Sequence, residues 1–415
     1  MFAEQSSTRE VRAAGVSTPR PGGLRAPSPQ VTAETTRIMI TTERWRGTSR
    51  LLEHREAWDD LWQRSAVTVP TARAESVVSY VETFSSADSL QSIVVREDSA
   101  IIAALPLVPR RRAGFLHCLG LPHNDWTTGA APLVDRRLIE QPQRTSEVAT
   151  ELARAFMSGP QRAIFLDGLH HDVSFWRMVE TGLQQIGGYA QWEARASIAV
   201  LPIERFHSDP FSHLSKNARK NLRRAARRLA QRGSVSLRVI TPRSMNAHER
   251  RWLDQALEIE HHKSDRPGWT SIIAAGLRDF FHQQADIASR HGEFLLSFLE
   301  LDRVPIAFEY GWLAKHVYHS LKVGYEPAFQ THSAGHLLMA RLGRYLAKRG
   351  DVKAVDCLCR SDTALARRWK ADAYPVYRLW ACRPAWLGQT LAWGLKQKQF
   401  LTGSVAPQAA MPSPL

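Results

Sequence analysis

The sequence predicts a mixed α/β (α+β) protein. Short apolar runs of strand length recur in both halves, among them 90–96, 101–109, 163–169 and 293–301. Segments with helical apolar spacing stand between them, as at 53–64, 146–158 and 244–262. Several strands follow one another without a helix, so the layout is mixed and not a strict strand–helix–strand repeat. The chain has 415 residues, 44% of them apolar, enough for two domains with real cores.

Residues 1–36 are rich in Ser, Thr, Pro, Gly and Arg and lack periodicity, which predicts a disordered tail. Folded structure is expected from Arg37. Trp58, Leu61 and Trp62 share one face of a helix over 53–64. Two strands, 90–96 and 101–109, flank the turn Glu97-Asp98-Ser99, and a third covers 115–121. The loop LPHNDWTTG, with His123, Asn124, Asp125 and Trp126, has the polarity of a cleft lining or of a plain turn. A helix at 146–158, a strand at 163–169, a helix at 174–187 and a strand at 196–201 complete the first half.

Between the halves lies SKNARKNLRRAARRLAQRG, residues 215–233. Ser215 is a credible N-cap and Gly233 a credible stop. Ala218, Leu222, Ala225 and Leu229 form one narrow apolar stripe, and eight Lys or Arg with no acid cover the rest. The segment reads as a docked helix with a solvated basic face, or as an anion-facing surface.

The second half reads strand (234–240), helix (244–262), helix (272–291), strand (293–301). Then comes VPIAFEYGWLAKHVYHSLKVGYEPAFQTHSAGHLLMARLGRY, residues 304–345. It predicts paired strands 304–313 and 316–323, a loop with Gly324 and Tyr325, and a helix opening near Ser333. A helix entered this way offers backbone N–H groups to an anion. A strand at 354–359, a helix at 363–371 and a strand at 377–382 follow. After Asp372 there is no acid, and Trp386 and Trp393 stand near Lys396 and Lys398, a composition that suits a packed helix or a membrane interface.

Lys and Arg outnumber Asp and Glu to give a net charge of +15, which favours acidic partners without choosing among them. No helix-turn-helix, RRM or zinc-finger signature accompanies the charge, which argues against nucleic acid. The four cysteines form no CxxC pair; Cys357 and Cys359 alternate on a strand and read as core. No metal is expected, since His332 and His336 lack a third ligand. The cysteine usage, the absence of an apolar span and the absence of a leader-like start predict a cytoplasmic location.

The order of motifs in the second half resembles the FemAB-like branch of the GNAT acyltransferases, in particular its cellulose-biosynthesis (CelD-like) acetyltransferases. The pieces that carry the likeness are the Ser-plus-basic helix at 215–233, EHHKSDRPGW with Lys263, the hairpin ending in Gly324-Tyr325, HSAGHLLM and AVDCLCRSDTALARRW. The first half resembles the degenerate leading domain of the same proteins. The resemblance implies two tandem GNAT-like domains, 37–204 and 205–383, each a mixed twisted sheet flanked by helices. It implies acetyl-CoA or another acyl-CoA as donor. The acceptor would be an amine or hydroxyl, as on a polysaccharide or envelope precursor. The basic helices would place the protein at the inner face of a membrane. An aminoacyl-tRNA-dependent transferase and a non-catalytic polyanion-binding protein stand as alternatives.

Acyl transfer needs a phosphate site, donors for an oxyanion and a base for the acceptor. The N–H groups near Ser333, Ala334 and Gly335 are the phosphate candidates. The resemblance adds Lys263, and Arg360, at a position where the family usually differs, is a further binding candidate. Glu309, a carboxylate in mid-strand, is the first candidate base, and His319 on the neighbouring strand the second. Tyr325 is placed to return a proton to the leaving group.

Overall fold

The computed structural model describes residues 39–112, 116–159, 161, 163–262, 270–390 and 392–393. The expected N-terminal tail, Lys263 and the end of the chain lie outside them. The first half runs β1 (Ile40–Arg46), α1 (Gly47–Glu53), α2 (Arg55–Arg64), α3 (Ala74–Phe84), β2 (Gln91–Glu97), β3 (Ala100–Arg112), β4 (Leu116–Gly120), β5 (Leu133–Val134), α4 (Arg136–Ile139), α5 (Pro142–Ser158), β6 (Ala163–Leu169), α6 (Val173–Gln185) and β7 (Tyr189–Pro202). The linking helix is α7 (Lys216–Ala230). The second half is β8 (Val235–Ile240), α8 (Ala247–His261), α9 (Arg278–Arg290), β9 (Phe294–Leu301), β10 (Val304–Ala314), β11 (Val317–Tyr325), α10 (Ala334–Arg349), β12 (Ala354–Arg360), α11 (Ala364–Trp369) and β13 (Asp372–Cys382).

The halves repeat one plan. A leading strand is followed by helices, then three antiparallel strands, a crossover helix, a parallel strand, a further helix and a last strand. The crossover helices α5 and α10 are what parallel pairing requires, since a tight turn cannot join parallel strands. β4 runs parallel to β6, and β11 parallel to β12.

The two sheets are continuous. Thirteen strands make one sheet in the order β1-β2-β3-β4-β6-β13-β7-β12-β11-β10-β9-β8, with β5 beside β3. At the centre the last strands are exchanged. β13, from the second half, pairs with β6 of the first, and β7, from the first half, pairs with β12 of the second. β7 and β13 also pair with each other from Tyr189↔Cys382 to Val200↔Asp372. Sequence had shown only the apolar ends of both strands; their polar portions are strand because they are sandwiched between partners.

Strand alternation sorts the second half's side chains onto two faces. Phe308, Tyr310 and Trp312 of β10 join the core beneath α3, α8 and α9. Ala307 and the neighbouring Ile306 pack with Leu337 and Leu338 of α10 and Leu229 of α7. Gly343 lets α10 lie directly on Phe206, whose ring a Cβ there would meet at 2.2 Å. The predicted stripe of α7 docks, with Leu222, Ala225 and Leu229 buried, and Ser215 Oγ accepts from Ala218 N at 3.3 Å.

Polar contacts also tie the halves, two of them through the cations Arg73 and Lys315. Arg73, ahead of α3, donates to Glu293 from Nη2 at 2.7 Å and from Nε at 3.0 Å. Lys315 sits in the β10–β11 turn, where it and His316 both have positive φ. Its Nζ donates to the carbonyls of Trp62, Ser65 and Val67. The Trp62 ring lies between these two cations, 4.0 Å from Arg73 and 4.1 Å from Lys315.

Candidate active site

β11 and β12 pair over three positions only, from Val317↔Ala354 to His319↔Asp356. Beyond His319 the strands part, so β11 continues to Tyr325 with no partner on that side. β12 turns away at a bulge after Asp356, where Leu358 has φ 47°. The result is a V-shaped opening in the sheet, with α10 starting beside it. Sequence periodicity gives strands but not where they diverge, so this opening was not legible beforehand.

α10 opens next to Ser333, as expected, but from an unusual backbone conformation. Ser333 has left-handed φ/ψ of 53° and 39°, and no side chain caps the helix. Its N–H bonds to Gln330 O at 3.2 Å, closing the short turn 327–332. The first N–H groups of α10, at Ala334, Gly335 and His336, therefore gain no side-chain acceptor at the cap, and a helix N-terminus left so attracts anions. Around Gly335 there is room: a Cβ would lie 3.7 Å from Tyr325 Cδ1 and 3.8 Å from Val323 Cγ1. Gly324 and Tyr325 close strand β11 and do not form the expected loop. Tyr325 packs with Ala334 and Leu337.

The catalytic candidates divide between the two faces. Glu309 faces α10, as do Tyr318, Ser320 and Tyr325 by the strand register. Its carboxyl is buried away from any arginine, and burial pushes it up to about 7, with the neighbouring Ser320 hydroxyl pulling the other way. One oxygen, Oε2, has no protein partner.

His319 faces the other way, paired with Trp312. It is 1% exposed, and neither ring nitrogen has a hydrogen-bond partner. Nδ1 lies 3.7 Å from Asp356 Oδ2. Asp356 accepts from Tyr374 Oη at 2.7 Å and from Leu358 N at 2.9 Å. Burial alone would push its carboxyl up, but His319, Tyr374 and the Leu358 amide together hold it below the usual range. Burial and the facing carboxylate push the Tyr374 hydroxyl up.

His170 and His171 complete this pocket from the first half, with rings 3.9 Å apart and His170 4.9 Å from Tyr374. Burial pushes both imidazoles down, His171 to about 3. In the sequence no local signal separates this pair from ordinary loop histidines. Lys322 was also missed, although a lysine inside an apolar strand is a visible anomaly. It lies on the His319 face, its ammonium 5.4 Å from the Trp126 ring and 5.9 Å from Phe281. Burial pushes it down, offset by Glu260 and Asp125. The HNDW loop is thus a wall of the cleft.

Arg360 ends β12, but its Nε donates to Asp362 at 3.0 Å. His336 accepts from Trp369 Nε1 at 3.0 Å. Cys357 and Cys359 are buried in one apolar cluster, as expected of core residues. Among the described residues no His, Cys, Asp and Glu group is arranged to hold a metal ion. No described helix is long and apolar enough to cross a membrane.

Residues 216–371 match the family model described as Acetyltransferase (GNAT) domain. No curated protein sequence matches the chain. Among solved structures, FemX is similar at 12% identity and a TM-score of 0.51, covering 81% of this chain and 96% of its own. The C-terminal domain of a putative lysylphosphatidylglycerol synthetase from Agrobacterium fabrum aligns at 12% identity and a TM-score of 0.49, covering 84% of this chain and 97% of its own. A tandem GNAT protein from the clavulanic acid biosynthesis pathway aligns at 11% identity and 0.44, covering 83% and 98%. The match over residues 216–371 places a GNAT acetyltransferase-like domain in the second half of the chain, and the likeness to FemX is one of fold.

Proposed function

We propose that the protein transfers an acyl group from acyl-CoA to an amine or hydroxyl, with residues 205–383 as the catalytic part. The observation that carries this reading is the parting of β11 and β12 beside an uncapped helix start. A thioester carrier needs a slot for its arm and N–H groups for its phosphates, and both lie together here. The donor supplies an activated acyl carbonyl; this chain positions it and manages the protons.

The N–H groups of Ala334, Gly335 and His336 hold phosphate oxygens. Lys263 and Arg360 are secondary donors, Arg360 only after release from Asp362. The acceptor enters from the face shared with Trp126 and Lys322. His319 takes the proton from the attacking amine or hydroxyl, and Asp356 stabilises the imidazolium that forms. As the new bond closes and the C–S bond breaks, Tyr325 Oη gives a proton to the departing thiolate and regains one from solvent. Glu309 is the weaker base candidate, because it faces α10 and has no cation to stabilise its ionised form. An acceptor of glycan type fits the aromatic and polar lining formed by Trp126, Asp125 and Lys322.

The test is a thermal-shift and titration panel of acetyl-CoA, longer acyl-CoAs and aminoacyl-tRNA, followed by thiol release with amines and amino sugars. Acyl-CoA should bind. His319→Asn should lower turnover by about a hundredfold, the usual contribution of a general base. Glu309→Gln should stay within a few fold. Failure of every acyl-CoA to bind overturns the reading, and loss of turnover in Glu309→Gln with none in His319→Asn moves the base to Glu309.

A further inference from the structure

The helices on the α10 face differ in charge from those on the opposite face of the second half. α7, α10 and α11 contain no Asp or Glu at all. Six of the seven cations in α7 are exposed, and among the described residues the one ion pair made by any of them is Arg223 with Asp209. α10 adds Arg341, Arg344 and Lys348 on its outer row, all exposed. α11 adds Arg367 and Arg368, and it packs on α10 through Trp369 and His336. α7 and α10 share one apolar cluster, so the three helices line one face of the sheet.

The opposite face is mixed. There α8 and α9 pair their charges, as in Arg278 with Glu258 at 2.7 Å. The asymmetry is therefore a property of one face and not of the chain's overall excess of basic residues.

We propose that this face docks on an anionic lipid bilayer. Three adjacent helices that expose cations with no interspersed acid present a field of one sign, which complements an extended anionic surface. The apolar stripe of α7 is consumed in docking, since Leu222, Ala225 and Leu229 are buried. Nothing apolar remains on α7 to insert, so the attachment is electrostatic and reversible by salt. α7 exposes no aromatic side chain for base stacking, which favours a lipid surface over single-stranded nucleic acid. α7 and α10 also flank the helix start at Ala334, so the docked face borders the opening between β11 and β12. A protein seated this way works beside the membrane.

The experiment is co-sedimentation of the full chain with vesicles of pure phosphatidylcholine and of phosphatidylcholine containing phosphatidylglycerol, over a salt series. Binding should require phosphatidylglycerol and fall steeply with salt. The double substitutions Arg224→Glu with Arg228→Glu, and Arg344→Glu with Lys348→Glu, should each weaken it by about tenfold or more. Circular dichroism and the acyl-CoA thermal shift should be unchanged, which separates docking from donor binding. Equal binding to both vesicle types overturns the proposal, as does wild-type affinity in both double variants. Tighter binding of heparin or double-stranded RNA than of the phosphatidylglycerol vesicles at equal salt also overturns it.

Discussion

Glu309 is buried without a cation, and that has a thermodynamic consequence. In the folded chain its carboxyl is raised to about 7, from 4.5 in its ordinary state. Between those two values the folded state holds a proton that the unfolded chain has lost. Stability therefore falls as pH rises through this window, by roughly 3 kcal/mol in full. Glu309→Gln keeps the shape and cannot ionise. It should be neutral for stability near pH 4, and at pH 8 it should raise stability by up to that amount in urea titrations. Equal stabilities of variant and wild type at pH 8 would show a carboxylate served by an unseen partner. At this scale the sequence was half legible. A carboxylate in mid-strand and a histidine on the next strand stand out from their apolar neighbours, so Glu309 and His319 could be singled out as candidates. That they point to opposite faces depends on a single extra residue: the β10–β11 register shifts after Tyr310. The pairing of Asp356 with Tyr374 was not legible, because the two meet only through strands β12 and β13.

Elements were the most legible level. The basic helix begins after Ser215 as its cap predicts, and the paired strands expected at 304–313 and 316–323 are found at 304–314 and 317–325. β1 and α3 were missed. β1 (ITTERWR) is mostly polar and is strand only because it pairs along β2, while α3 (AESVVSYVETF) is so evenly apolar that its period is blurred. α10 yields a prediction with two opposite signs. An acid at the first turn of a helix normally stabilises it by about 0.3–1 kcal/mol through the helix dipole. Space for a side chain exists at Gly335, where a Cβ meets nothing closer than 3.7 Å. Gly335→Asp should therefore leave the melting temperature unchanged or raise it, while weakening acyl-CoA binding at least tenfold by placing a carboxylate where phosphates sit. Calorimetry and titration on the same sample test both. Retained acyl-CoA affinity would remove the helix start from the donor site.

The whole molecule follows from the exchange of last strands, and this was the least legible feature. Nothing in local pattern says that β13 pairs with a strand some two hundred positions earlier, because pairing partners are chosen by tertiary packing. The exchange makes a sequence boundary near residue 204 differ from a mechanical one. Cutting there gives a first fragment whose β6 lacks β13 and exposes an unpaired edge, and a second fragment whose β12 lacks β7. An open apolar edge promotes aggregation. The first fragment also loses Glu293 from Arg73 and the Lys315 ammonium from three carbonyls, leaving buried polar groups unmet at roughly 1–3 kcal/mol each. Fragments 39–204 and 205–393 should each be insoluble or poorly folded when made alone. Produced together, they should assemble into a heterodimer with a single cooperative melting transition near that of the intact chain. Two well-folded monomers with separate transitions would mean that the exchanged strands are dispensable, and that each half closes its own sheet.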